Sequence, residues 1–348
     1  MGKAGKKNRR PQRYSWENWS DAELLETRLC DLGLQMQGSY LERPRDQLYE
    51  ELQRRGLRVK PHLWFSEEWF CPDGVPGFAA PFYLAHPRLM KLERRKMLEV
   101  EGGNLPWCMK LMRHEAGHAI QHAFRLHRRK RWREVFGSAT VPYPESYQPR
   151  PGSKRFVLNL YAWYAQSHPA EDFAETFAVW LKPRAKWRRR YQGWPALKKL
   201  EYVDELMESL QGEVAPVRTR RQVERVSTLR KTLGEYYEEK QGRYGVGFPD
   251  VYDRDLRRLF SEEGEGSRAE MASAFLRRNR KVIRAQVARW TGEYAFTLDQ
   301  VFTHMIGRCR ELGLRVTSPE EQVRVDFAIL LTVRTMQYLH TSRERIPL

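Results

Sequence analysis

This 348-residue chain contains no apolar run near the roughly 18 residues that a membrane-spanning helix needs. Its opening stretch, MGKAGKKNRRPQRYSW, is basic but leads into no apolar segment, so no cleaved secretion signal is expected. Lys6 stands where N-myristoylation would need Ser or Thr. Cysteine is scarce: Cys30, Cys71, Cys108 and Cys309 show no paired spacing, which argues against a disulfide framework and a structural zinc ribbon. They read as reduced thiols of a cytoplasmic protein. No internal repeat of fixed period is present, which excludes a solenoid.

Acidic residues are also in deficit, 44 against 62 basic, for a net charge of +18. The excess is clustered. Lys3, Lys6, Lys7, Arg9, Arg10 and Arg13 form a tail without an acid, expected to be disordered. Two further clusters lie at 125–133 and 182–190. Helix C-termini favour cations, which accounts for part of this pattern. Such a surface attracts acidic protein segments, nucleic acid or anionic lipid. Trp132 and Trp187 interleave with the arginines, as stacking on bases would require.

Against this background one stretch is chemically specific: His114, Glu115, Ala116, Gly117, His118. Nine His and 44 acids in a chain of this length give about 0.03 chance matches to the pattern. Residues at i and i+4 of a helix share a face with Cβ atoms about 5 to 6 Å apart. Both imidazoles can therefore reach one tetrahedral Zn²⁺, with Glu115 beside it as general base. The context is helical: Asn104 can cap, Pro106 suits a first turn, and Leu111, Ala116, Ala119, Ile120 and Ala123 form an apolar side. Gly117 costs about 1 kcal/mol relative to Ala inside a helix, which predicts that a neighbouring backbone packs closely there.

A third ligand is required. The position six residues after His118 is Phe124, not the histidine of a metzincin, and a straight helix carries His122 about a turn past the metal. His122 reads instead as a partly buried histidine outside the coordination sphere. A better source is 161–181, YAWYAQSHPAEDFAETFAVWL, where Ser167 or His168 can cap and Pro169 can open a helix. Glu171 and Glu175 then share a face opposite the apolar Phe173, Ala174, Phe177, Ala178 and Leu181. One carboxylate can bind zinc while the other hydrogen-bonds the outer nitrogen of a ligating histidine.

With HEAGH followed by EDFAETF, the chain resembles the gluzincin zinc metallopeptidases, most closely the bacterial zinc-binding metallopeptidases with a lethal-factor-like active site. The resemblance runs from about residue 62 to 207. It implies a zincin-like domain of α+β class, a small sheet over an active-site helix. His114, His118 and Glu171 would be the Zn²⁺ ligands, Glu115 the base and Glu175 the carboxylate that steadies a ligand. Tyr164, seven residues before the glutamate ligand, would donate to the oxyanion. His168 departs from the pattern and competes as third ligand or proton donor.

The expected activity is peptide-bond hydrolysis by a zinc-activated water, on a protein or peptide substrate of acidic character. The alternatives are amide or ester hydrolysis of a non-peptide substrate, and a basic nucleic-acid-associated or scaffold protein with a secondary metal site. Strand signals fall at 62–66 and 77–84 around a CPDG turn at 71–74, and Pro81 confines its strand to an edge open to peptide addition or covered by the active-site helix. Capping signals place an early helix after Ser20 and another over 44–55. The chain is thus divided into a tail at 1–13, a catalytic domain at 14–212 and, after a linker near 212–217, an all-helical region at 213–348. Helices are expected there at about 218–241, 267–290, 297–312 and 319–340.

Overall fold

The computed structural model describes residues 14–144, 146–147, 150, 153–160, 163–244, 252–262, 269–342 and 346–347. The basic tail at 1–13 lies outside them. Helices dominate, with a small parallel sheet among them, an α+β arrangement. Helix α1 (Asp21–Leu25) opens on the capping box, with Ser20 Oγ accepting from Glu23 N at 3.2 Å and Glu23 Oε2 accepting from Ser20 N at 2.8 Å. Helix α2 (Glu42–Arg54) starts before Pro44, which its first turn tolerates, and stops ahead of Gly56 at φ 73°.

Strands β1 (His62–Ser66) and β2 (Gly77–Pro81) pair in parallel, His62 opposite Gly77 and Ser66 opposite Pro81. Their connection folds back so that Ala79 N donates to the carbonyl of Phe70 at 2.8 Å. At Ala79, β2 therefore has a neighbour on both sides, and all five of its residues are buried. The edge that Pro81 led us to expect is not open there. The strand also ends at Pro81, where the chain turns into a short 3-10 helix, Phe82–Ala85, instead of running on to 84.

Helix α3 (Pro87–Met97) leads to α4 (Leu105–Phe124), which Asn104 caps by accepting from Trp107 N at 3.0 Å. This helix is buried along almost its whole length, between β2, α2 and α6 (Pro169–Leu181). The buried pair Arg113 and Glu51 locks it to α2 through two hydrogen bonds, at 2.7 and 2.8 Å. A bidentate pair of this kind fixes orientation as well as distance. Helices α5 (Lys130–Phe136) and α8 (Ala196–Glu208) pack on α6, and α7 (Trp187–Arg190) packs on α8. Phe173 and Phe177 there are fully buried in the main core, each worth roughly 1.5–3 kcal/mol.

The helix expected over 218–241 forms only as α9 (Leu233–Tyr244). Residues 221–224 are kept out of an α-helix because His62 Nε2, Trp64 Nε1 and Ser66 Oγ, alternate residues on one face of β1, bond the carbonyls of Arg221, Val223 and Glu224 at 2.9, 2.8 and 2.6 Å. Val226, Leu233, Tyr236 and Tyr237 then join the core that starts at Trp16, so this packing reaches beyond residue 212. Helices α10 (Asp253–Leu259), α11 (Ala272–Thr291), α12 (Ala295–Glu311) and α13 (Glu320–Ser342) surround a second core of their own. This region is not wholly helical: β4 (Ile346–Pro347) pairs antiparallel with β3 (Ser146–Tyr147).

Candidate metal centre

Helices α4 and α6 cross at a point where no side chain separates them. A Cβ on Gly117 would lie 2.8 Å from Ala174 Cα, so the close backbone approach expected at this glycine is present. The crossing turns His114 and His118 toward Glu171. His114 Nε2 lies 3.0 Å from Glu171 Oε2, His118 Nε2 lies 3.1 Å from the same oxygen, and the two nitrogens are 3.2 Å apart. All three residues are buried. A tetrahedral Zn²⁺ with bonds of about 2.0–2.1 Å sets its ligand atoms about 3.3–3.4 Å apart. The triangle is within a few tenths of an ångström of that, and two imidazoles with one carboxylate are a zinc-type donor set. Among the described residues this is the group whose ligating atoms converge, all within 4.8 Å of one another.

Glu175 supports the triangle from behind. Its Oε1 accepts from His114 Nδ1 and Asn159 Nδ2, and its Oε2 from Leu160 N, each at 2.8 Å. With the proton on Nδ1, His114 must offer the lone pair of Nε2 on the metal-facing side. Glu171 is held well below the usual carboxylate range: burial would raise it, but His118 and His114 outweigh burial. Glu115 differs. Burial raises its pKa against the pull of His114 and His118, and its Oε2 is buried without a hydrogen-bond partner. A carboxylate shifted upward with one oxygen unspent is suited to accept a proton.

Tyr164 lies next to the first histidine of the triangle, its ring 5.6 Å from that of His114. Burial, and after it Glu171 and Glu115, push its phenol well above the ordinary range, so it stays a donor. His168 is placed differently from either role expected of it. It caps α6, with Nδ1 accepting from Ala170 N at 3.1 Å, while Nε2 faces the carbonyl of Val141 at 2.8 Å. Both ring nitrogens are committed. His122 is also outside the triangle: its Nδ1 accepts from Gly74 N at 3.2 Å, and burial lowers its pKa to about 4.

Two residues at the site went unread in the sequence. Tyr143 donates to Glu171 Oε1 at 2.8 Å, and Asn159 donates to Glu175. Neither sits in a periodic segment, so no spacing announces it. The aromatic pair singled out for base stacking is not available for it: Trp132 is fully buried, and Trp187 is buried under the guanidinium of Arg188 at 4.1 Å. Each ring belongs to the core, while the neighbouring arginines stay at the surface.

The helix-borne triangle of His114, His118 and Glu171 is a group that could hold a metal ion, with Glu115 beside it. Residues 108–192 match the model of a family described as "Putative zinc-binding metallo-peptidase". The match covers about a quarter of the chain and includes His114, Glu115, His118, Glu171 and Glu175. No curated protein and no solved structure matches the chain. Among the described residues no helix is long and apolar enough to cross a membrane.

Proposed function

We propose that this chain is a zinc-dependent peptidase of zincin-like fold and gluzincin type, with His114, His118 and Glu171 as the metal ligands. The observation that carries this reading is the triangle of ligating atoms 3.0 to 3.2 Å apart, with the unpartnered Glu115 oxygen on the residue next to His114. Bound there, zinc supplies a Lewis acid that polarises a carbonyl and makes water nucleophilic at neutral pH.

The chain's own residues supply the rest. Glu115 Oε2 takes a proton from the attacking water and returns it to the leaving amine nitrogen. Tyr164 donates its hydroxyl hydrogen to the oxygen on which negative charge develops. Glu175 keeps the proton of His114 on Nδ1. His168, with both nitrogens engaged, takes no part in the proton transfers. The net charge of +18 favours an acidic peptide segment as substrate, and four free thiols suit a cytoplasmic location.

The test is unbiased peptide profiling of the zinc-loaded chain, with Glu115→Gln as control. The variant should retain about one zinc per chain by elemental analysis and lose about 10²–10⁴ in rate, the range of a general base. Cleavage that persists in Glu115→Gln, or hydrolysis confined to small esters, would overturn the assignment.

A further inference from the structure

Tyr143 lies in the segment 137–144 that follows α5, and three contacts draw this segment onto the start of α6. The Tyr143 hydroxyl donates to Glu171 Oε1 at 2.8 Å. Its ring lies flat on the imidazole of His168, with centroids 3.8 Å apart and planes 18° from parallel. Two residues earlier, the Val141 carbonyl meets His168 Nε2 at 2.8 Å. Tyr143 is nevertheless 52 % exposed and Val141 51 %, whereas Glu171 is only 5 % exposed. A tyrosine at the rim thus commits its hydroxyl to a buried carboxylate.

The two oxygens of Glu171 have divided tasks. Oε2 faces both imidazole nitrogens, and Oε1 is taken up by the tyrosine. A glutamate without that bond is free to rotate about its last torsion and offer a metal either oxygen or both. With Oε1 accepting from the tyrosine, Oε2 is the oxygen turned to the two nitrogens, and the hydroxyl opposes the rotation that would bring Oε1 to a metal.

We propose that Tyr143 is a positioning residue of the metal centre, holding Glu171 so that it presents a single oxygen, and that His168 is the platform that seats Tyr143. The inference rests on reading His114, His118 and Glu171 as metal ligands. It also accounts for a histidine next to a metal site that spends neither nitrogen on it: one caps the helix, one anchors the 137–144 segment, and the ring face carries the phenol.

The full chain provides the test, through metal affinity and coordination number. Zinc affinity is measured by competition with a chromophoric chelator, and coordination by the visible spectrum after cobalt substitution. Tyr143→Phe keeps the stacked ring and removes only the hydroxyl; zinc affinity should fall about tenfold, and the cobalt bands should shift from four-coordinate toward five-coordinate intensity. His168→Asn retains a helix-capping side chain but loses the platform. It should weaken zinc in the Tyr143 background and add little in the Tyr143→Phe background, because it acts through the tyrosine. Unchanged affinity and spectrum in Tyr143→Phe would overturn the assignment of Tyr143 alone. A wild-type chain that binds neither zinc nor cobalt would overturn the metal-centre reading and this inference with it.

Discussion

Gly117 and Ala174 touch where the two ligand-bearing helices cross, with room for a hydrogen atom but not for a methyl group: a Cβ on Gly117 would stand 2.8 Å from Ala174 Cα and 3.2 Å from its carbonyl oxygen. His118 is the next residue on one helix, and Glu171 lies one turn before Ala174 on the other. The approach of these backbones therefore sets the distance between a nitrogen and an oxygen of the metal triangle.

Gly117→Ala should consequently destabilise the fold by about 2 kcal/mol or more and lower zinc occupancy, although alanine is the better helix former by about 1 kcal/mol. Gly307 in α12 provides the control. A Cβ there meets nothing within 4 Å, so Gly307→Ala should stabilise by up to about 1 kcal/mol. Chemical denaturation of both variants, with elemental analysis of the first, checks the pair. Equal stabilisation of the two would mean that the helices can part at no cost.

Removing Glu175 leaves His114 without its tautomer-setting partner and leaves two further donors, Asn159 Nδ2 and Leu160 N, without this acceptor. Glu175→Ala should weaken zinc 10- to 100-fold. Glu171→Ala, which removes a ligand, should weaken it further. Isothermal titration against a competing chelator gives the order, and the reverse order would exchange the roles of the two glutamates.

Acid stability carries a signature of His122. Burial lowers its pKa to about 4 from 6.5, so between those values the unfolded chain binds a proton that the folded chain refuses. Stability then rises with pH across that window and is lost as pH falls through it, by up to about 3 kcal/mol. His122→Gln removes this contribution. With a chelator present to silence the metal, urea unfolding at pH 6.5 and pH 4.5 should show a smaller loss in the variant than in the wild type. Identical losses would place the acid sensitivity elsewhere.

The four groups of the triangle and its support were legible because helical periodicity fixes them locally. His114 and His118, like Glu171 and Glu175, are one turn apart, and Asn104, Pro106, His168 and Pro169 mark where the two helices begin. Gly117 even signalled the crossing. Tyr143 and Asn159 were not legible, because they reach the site from segments whose path depends on tertiary contacts. The same limit explains residues 218–232: their helical pattern yields to three side chains of β1 that capture the carbonyls at 221, 223 and 224. Trp132 and Trp187 misled for another reason. A tryptophan beside arginines has the same spelling whether its ring faces water or the core, and here both face the core.

Asn159 is tied to α4 twice, through its carbonyl to Lys110 Nζ at 2.8 Å and through Glu175 to His114, one turn further along. Residues 159–160 are thus moored at two points to the stretch of α4 from Lys110 to His114. Tension applied at residues 159–160 therefore reaches the imidazole of His114 through Glu175, from a segment that contributes no ligand to the triangle.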